Sequence, residues 1–319
     1  STAASLGNCS CIPSKGPTFG ALPSPIPGLV LPTVPSGHAA CPVSVLDMIV
    51  AVLPGVFLGL VWFSLRYAWW RPALDYRYPR ILMYHMIATP RRGARFNGLR
   101  VSPQRFERQL RWLSAQGWRS FTMSELLARA GTVPEKAFAI TLDDGYADNL
   151  LQALPLLKKY RCKATLYLVV DRFDRDWSMQ RKKHHDEGEL KGEAKLSDQQ
   201  VQELLESGCI ELGSHSMTHP NFLRIESEAV RWELEESRRA LEQRFAVSVS
   251  SFAYPFGLYR PEQVELVKQA GYSSAVTTRE GIENADSWQP LELRRIKISG
   301  KDSWLAFLLR MRGGRRGWR

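Results

Sequence analysis

Phe138-Ala139-Ile140-Thr141-Leu142-Asp143-Asp144-Gly145 decides how this chain is read. Five residues with little polarity, long enough for one buried strand, run straight into two carboxylates and a glycine-containing turn. Parallel α/β folds place their sites at such strand ends. Successive strand residues face opposite ways, but at a fraying end both carboxylates can turn into one pocket, where one ligates a metal and its neighbour handles a proton. Taken alone, the pair would read as a solvated turn.

A second strand end changes that balance. Ile210-Glu211-Leu212-Gly213-Ser214 leads into His215-Ser216-Met217-Thr218-His219-Pro220. Imidazoles four residues apart come to one side of a single turn. Pro220 disfavours helical geometry at His219, so a tight turn is expected there. Two histidines and one carboxylate leave coordination positions open for water and a substrate oxygen, as a catalytic metal requires.

Outward from these stretches the pattern alternates. Strands are expected at 81–85, 137–143, 164–170, 210–214, near 254, at 273–277 and at 294–298. Helices are expected at 103–116, 150–160, 198–207, 226–245 and 261–270. Such alternation predicts an α/β fold with a parallel sheet, open or closed into a barrel.

Residues 1–42 are rich in Pro, Gly, Ser and Ala and are expected to form a disordered leader. Met48 stands as an alternative start. From Met48 to Leu65 no charge interrupts an apolar run, and Trp69 and Trp70 follow it like an interfacial belt. A helix of that length crosses about 30 Å of hydrocarbon. A cleaved signal peptide would carry its positive residues before the apolar core, whereas here Asp47 precedes it and Arg66, Arg71, Arg77, Arg80, Arg91 and Arg92 follow. The segment 43–70 is therefore expected to be a single-pass anchor in the cell inner membrane. The same asymmetry puts residues 80–300 on the cytoplasmic side, with the periplasmic side as the alternative. Residues 71–79 form a linker, and 301–319 are read as a basic tail.

The chain has 319 residues, is 44% hydrophobic and carries a formal charge of +11. No nucleic-acid motif accompanies that charge, so anionic lipid or an acidic glycolipid is the expected partner and nucleic acid is not. Five cysteines without regular spacing imply free thiols, in keeping with a reducing compartment.

Thr141-Leu142-Asp143-Asp144-Gly145-Tyr146, His215-Ser216-Met217-Thr218-His219-Pro220 and Phe252-Ala253-Tyr254-Pro255-Phe256-Gly257, in that order, resemble the first three motifs of the polysaccharide deacetylase family, the NodB-homology domain of carbohydrate esterase family 4. Leu82-Met83-Tyr84-His85 resembles the first strand of its biofilm-polysaccharide branch. Over residues 80–300 the resemblance implies a deformed (β/α)7 TIM-like barrel and removal of N-acetyl groups from the N-acetylhexosamine units of a glycan or glycolipid. It makes Asp143 the general base and Asp144, His215 and His219 the ligands of a divalent metal. Zinc is the first expectation, and the same ligands accept Co2+, Ni2+, Fe2+ or Mn2+.

Tyr254, Pro255 and Phe256 are expected to shape a substrate platform, with the main-chain N–H near Phe256 completing an oxyanion hole. Two departures from the family pattern stand out. Phe252 and Ala253 occupy the place of an Arg that orients the base in many relatives. Leu293-Arg294-Arg295-Ile296 stands where many relatives carry the His that protonates the leaving amine. His85 is the candidate donor in its stead, with a structural hydrogen bond as the competing role. Arg295 can pair with Asp143 or with an anionic substrate, and is counted with the substrate-binding residues. The charged stretch 171–195, with His184-His185, reads as a lid.

The alternative from another class is a glycan-binding protein that keeps its metal but has lost turnover. A glycosidase is disfavoured, because adjacent carboxylates cannot flank a glycosidic bond at about 5 Å or more.

Overall fold

The computed structural model describes residues 45–175 and 188–317. The chain divides into Ser1–Leu53 and a compact unit, Pro54–Arg319. Helix α1 (Val45–Tyr67) contains a span from Met48 to Tyr67 that is long and apolar enough to cross a membrane, with none of its most apolar window buried. His38, Cys9, Cys11, Cys41 and the His184-His185 pair lie outside the described residues.

Among the described residues eight parallel strands follow: β1 (Arg80–Tyr84), β2 (Arg119–Phe121), β3 (Ala137–Asp143), β4 (Ala164–Leu168), β5 (Ile210–Ser214), β6 (Ser251–Ala253), β7 (Ser274–Glu280) and β8 (Leu293–Lys297). Seven of them close a barrel. β8 pairs β1 at Leu82↔Ile296 and Met83↔Lys297, and β1 pairs β3 from Arg80↔Phe138 to Tyr84↔Leu142. The remaining strand, β2, pairs only the first three residues of β3. This is the (β/α)7 barrel expected from the motifs. β2 and the helix that follows it at Met123–Leu127 were not visible as periodic elements, because three and five residues are too few to show a period.

Strand alternation sorts the core into two layers. Leu82, Tyr84, Phe138, Ile140, Leu142, Leu166, Leu212, Phe252 and Ile296 face outward under the helices. Ile81, Ala137, Ala139, Tyr167, Ala253, Val276 and Leu293 fill the interior. The interior needs small residues where large ones cross it: a Cβ on Gly213 would come within 2.6 Å of the Tyr167 ring.

The outer layer comprises α2 (Pro103–Ala115), α3 (Met123–Leu127), α4 (Leu154–Lys159, continuing a π-helical turn from Asn149), α5 (Asp198–Glu206), α6 (Ser227–Phe245), α7 (Pro261–Gln269) and α8 (Trp304–Gly313). Their starts follow from sequence. Ser102 accepts from the Arg105 N–H with Pro103 at the first helical position, and Ser197 with Gln200 makes a reciprocal capping box. Part of the stretch read as a basic tail is α8, which docks on the barrel. Its Phe307 ring lies edge-on to Trp112 at 5.7 Å, and Arg310 is buried against Asp302 at 3.0 Å. The basic composition of 301–319 concealed it, since its two arginines of the last turn obscure a short apolar face.

The β1 and β8 ends are laced together by a loop. Met86 donates to the Leu99 carbonyl at 3.1 Å and its own carbonyl accepts from the Val101 N–H at 2.9 Å, and Gly300 donates to the Gly98 carbonyl at 3.1 Å. A Cβ on Gly300 would lie 1.7 Å from the Arg100 carbonyl oxygen and 2.5 Å from that of Asn97. Backbone atoms cannot swing aside as a side chain would. Gly300→Ala is therefore expected to destabilise the chain by about 1–3 kcal/mol, read as a lower urea midpoint with an unchanged slope.

Candidate active site

The site lies at the C-terminal mouth of the barrel, assembled from the ends of β3, β5, β6, β8 and β1. Inward-facing positions on β3 run Ala137, Ala139, Thr141, Asp143, so strand parity delivers the Asp143 side chain into the interior. Asp144 then leaves the strand with φ 77°, which turns its carboxylate toward the same space as its neighbour's. Both are buried. Left-handed backbone recurs at Ser216 (φ 69°), His219 (φ 57°) and Phe256 (φ 56°), all around the mouth. Such conformations in non-glycine residues cost of order 1–3 kcal/mol each and persist only where surrounding structure holds them.

The histidine turn is held from both sides. Ser216 accepts from the His219 N–H at 3.0 Å, and Ser214 accepts from the Ser216 N–H at 3.2 Å. From α6, the buried Glu233 accepts from the Thr218 N–H at 2.9 Å and its hydroxyl at 2.6 Å. Glu233 was not identified from sequence, because a glutamate within a long charged helix gives no sign of facing inward.

His215 Nδ1 sits 2.7 Å from the Ala253 carbonyl oxygen, which only accepts, so Nδ1 carries the proton and Nε2 presents a lone pair. That Nε2 lies 3.2 Å from His219 Nε2 and 3.4 Å from Asp144 Oδ1, and His219 Nε2 is 3.7 Å from the same oxygen. Three buried ligand atoms thus lie within 4.8 Å of one another. An N2O set with a fixed tautomer and a backbone partner behind one imidazole fits a divalent metal. The electrostatics agree. Burial alone would raise the Asp144 carboxyl, but the His215 hydrogen bond and the fields of His85 and His219 hold it well below the usual carboxylate range. His219 is pushed far down by burial and by His215, against the pull of Asp144, and so is neutral as a ligand should be.

The partner of Asp143 is Arg295. Leu293 and Arg295 share the inner face of β8, and Arg295 reaches across to give Nη1 to Asp143 Oδ1 at 2.7 Å and to Thr141 Oγ1 at 2.9 Å, while Nε binds the Thr277 carbonyl at 2.8 Å. The guanidinium is 1% exposed. This corrects its placement among substrate-binding residues: a side chain enclosed in the barrel and committed to three protein oxygens has no surface for a glycan. Asp143 thus has an arginine partner, which comes from β8 and not from the third motif.

Tyr254 and Pro255 are also corrected. Tyr254 faces outward by parity with Phe252, is fully buried, stacks on Tyr259 at 4.0 Å and donates to the Leu291 carbonyl at 3.0 Å. Pro255 is buried beside it. Of that motif only Phe256 reaches the mouth, half-buried, with its ring edge-on to His219 at 4.4 Å. His85 follows Ile81 and Met83 on the inner parity of β1 and lies at the mouth. Burial lowers its pKa, against the opposing fields of Asp144 and Asp143.

A charged rim surrounds these residues. Arg100, wholly buried, binds Glu189 and Glu193 at 2.6 Å each, joining the 86–101 loop to the 188–196 segment. Lys195 stands 3.5 Å over the Tyr146 ring. Asp148 accepts from the Ile87 N–H at 2.8 Å and from Asn149 at 2.9 Å. Burial, aided by Glu193 and opposed by those hydrogen bonds, pushes the Asp148 carboxyl up to about 6. Its native pKa then exceeds the unfolded value, so the folded state holds the extra proton and stability falls as pH rises from about 4 to about 6. Asp148→Asn is expected to flatten that fall by about 1–2 kcal/mol, allowing for the partial exposure of the group, in urea titrations at pH 4.5 and 6.5.

Comparison with known proteins agrees with this geometry. A family model described as polysaccharide deacetylase matches residues 130–275. The Bacillus subtilis (strain 168) protein YxkH, which carries a provisional polysaccharide deacetylase assignment, is 30% identical over 230 residues, covering 71% of this chain and 74% of its own length. The poly-beta-1,6-N-acetyl-D-glucosamine N-deacetylase of Staphylococcus aureus is 26% identical over 181 residues, and the match spans 54% of this chain and 58% of that relative. The crystal structure of a polysaccharide deacetylase from Bacillus cereus superposes with a TM-score of 0.61 at 26% identity, over 74% of this chain and 69% of the other. With a seven-stranded barrel, its strand-end carboxylates and histidines converging at one mouth, and a relative matched over most of both chains, this carbohydrate deacetylase belongs to the polysaccharide deacetylase family.

Proposed function

We propose that the chain is a membrane-anchored, metal-dependent hydrolase that removes N-acetyl groups from N-acetylhexosamine units of a cell-envelope glycan or glycolipid. The observation that carries this reading is the adjacency of two differently partnered carboxylates, Asp144 facing two imidazole nitrogens and Asp143 bound to a buried arginine. Asp144, His215 and His219 would hold the metal, which when bound supplies an acidified water and polarises the acyl oxygen. Zinc is the first candidate for such a set, ahead of Co2+, Ni2+, Fe2+ and Mn2+.

The protein's own groups do the rest. Asp143 takes the proton of the attacking water, and Arg295 fixes the oxygen that is not needed for that transfer. The Phe256 N–H donates to the oxygen that gains charge, and its ring shields His219 from solvent. His85 hands a proton to the departing amine. Because burial keeps His85 neutral at the outset, it acquires that proton within the cycle, and Asp143 is the group that has one to give. The amide nature of the substrate follows the named activity of the Staphylococcus aureus relative.

α1 is the proposed single inner-membrane span, with the barrel on the cytoplasmic side where the arginines after it would lie. That topology favours a lipid-linked saccharide or lipopolysaccharide precursor over exported polysaccharide. Reporter fusions at the C-terminus that are active only in the periplasm would reverse the assignment of substrate.

The test is acetate release from a panel of free and lipid-linked N-acetylated oligosaccharides. Protein purified without added metal is expected to carry about one divalent ion per chain, and His215→Ala or His219→Ala to lower that content at least about tenfold. Metal and sugar binding without acetate release across the panel would instead support a glycan-binding protein. Full activity in metal-free protein would overturn the scheme.

A further inference from the structure

Where α1 ends, the compact unit forms a basic pocket that the deacetylase reading does not use. A cavity of about 130 Å³ is lined by Tyr67, Arg71, Leu74, Leu309, Arg312 and Arg315 among others, and no acid is in its wall. Arg66 is next to Tyr67 in the last turn of α1. Among the described residues, Arg66, Arg71, Arg312 and Arg315 form no ion pair. The acids that approach this end of the molecule are already taken: Asp75 by Arg77 at 2.8 Å, Asp302 by Arg310 and Arg316 at 3.0 and 2.8 Å.

One opposing effect must be weighed. α8 ends at the pocket, and the C-terminus of a helix presents carbonyl oxygens that repel anions. Here those carbonyls are occupied. The Arg310 oxygen accepts from the Gly314 N–H at 2.7 Å, the Met311 oxygen from Arg80 Nε at 3.0 Å, and the Arg312 oxygen from the Leu74 N–H at 2.9 Å. The guanidinium charges therefore dominate the field of the pocket. The same residues fix its shape, since Arg312 Nη1 also donates to the Trp69 carbonyl at 3.4 Å.

The surroundings identify the anion. Apolar side chains of α1 remain exposed down to the lip of the pocket, Leu65 at 55%, and Trp69 and Trp70 are exposed beside it at 52% and 43%. Arginine beside tryptophan at the end of an apolar span is the composition of a membrane interface. We infer that Arg71, Arg312 and Arg315 form a binding site for the phosphate of an anionic phospholipid, whose acyl chains lie along α1 and whose headgroup enters the pocket. A site of this kind would set the height and rotation of the barrel above the bilayer surface, which a single helix cannot do alone.

The inference rests on α1 being a membrane span, and its test is independent of acetate release. The full chain in neutral detergent is titrated with phosphatidylglycerol and with phosphatidylcholine, and retained lipid is counted by native mass spectrometry. The parent is expected to retain one phosphatidylglycerol at least about tenfold more tightly than phosphatidylcholine, and the variant with Arg71→Gln, Arg312→Gln and Arg315→Gln to lose that preference. The double variant Arg71→Gln with Arg315→Gln leaves the Arg312 bond to Trp69 in place and is expected to lose most of it. A folded variant is recognised by an unaltered circular dichroism spectrum and melting temperature. Equal retention of the two lipids by the parent, or an undiminished preference in the folded double variant, would overturn the site. Displacement of phosphatidylglycerol by an equal concentration of inorganic phosphate would overturn its assignment to lipid. Release of the parent from membranes by alkaline carbonate would overturn the anchor itself, separately from the deacetylase reading.

Discussion

Asp143→Asn is expected to lower acetate release by about 10³-fold while leaving bound metal unchanged. The two halves of that expectation come from different atoms. Metal retention follows because the atoms proposed to hold it belong to Asp144, His215 and His219, and Asp143 is not among them. Loss of rate follows because an amide at position 143 preserves the size of the side chain and an acceptor for Arg295, but cannot accept a proton from water. The substitution also removes the charge opposite a buried guanidinium. Some loss of stability is thus expected, and the rate must be compared at a temperature well below both melting transitions. If Asp143→Asn kept a rate within threefold of the parent, the base would have to be sought elsewhere.

The second large effect is expected from Arg295→Met. Methionine fills much of the volume of the arginine stem but leaves Asp143 buried without its partner. Removing one member of a buried ion pair costs about 3–5 kcal/mol. Here the loss falls toward the upper part of that range, because Thr141 Oγ1 and the Thr277 carbonyl lose a donor as well. In kinetics, kcat is expected to fall by about 10- to 100-fold with little change in KM, since Arg295 acts on the base and is enclosed from substrate. That split distinguishes the two roles open to Arg295 from sequence. A raised KM with an unchanged kcat would restore it to the substrate-binding residues. Arg295→Lys tests geometry separately from charge: a single ammonium cannot serve three acceptors spread over β3 and β7, so the rate should recover only in part.

The group that could hold a metal was legible because each of its residues sits within a short, local pattern. Asp144 follows an apolar strand, and His215 and His219 share one turn, so neither reading needs to know which strands are neighbours. Arg295 is different. Its partner lies on β3, far away in sequence, and the two meet only because the barrel closes and because residues 293 and 295 share the inner parity of β8. A sequence shows that parity but not which strand stands opposite. The same limit explains Tyr254. Its motif is local, yet whether a ring at the end of β6 faces the mouth or the helical layer depends on the register of a three-residue strand, and alternation from Phe252 sends it outward. Helix α8 was missed for a further reason. Its buried side chains, Ala306, Phe307, Arg310 and Met311, include an arginine whose burial is explained by Asp302, just ahead of the helix, and by Glu280 on β7, a pairing its own stretch of sequence does not show.

The ion pair between β3 and β8 carries an implication for the order in which the enzyme becomes competent. During synthesis, the strands that lead to Asp144, His215 and His219 emerge before β8, so the proposed metal-holding residues are all made while the interior still lacks Arg295. The full rate of hydrolysis must wait until the last strand seats against β1. A carbohydrate deacetylase arranged in this way cannot reach its full rate before its own translation is nearly finished.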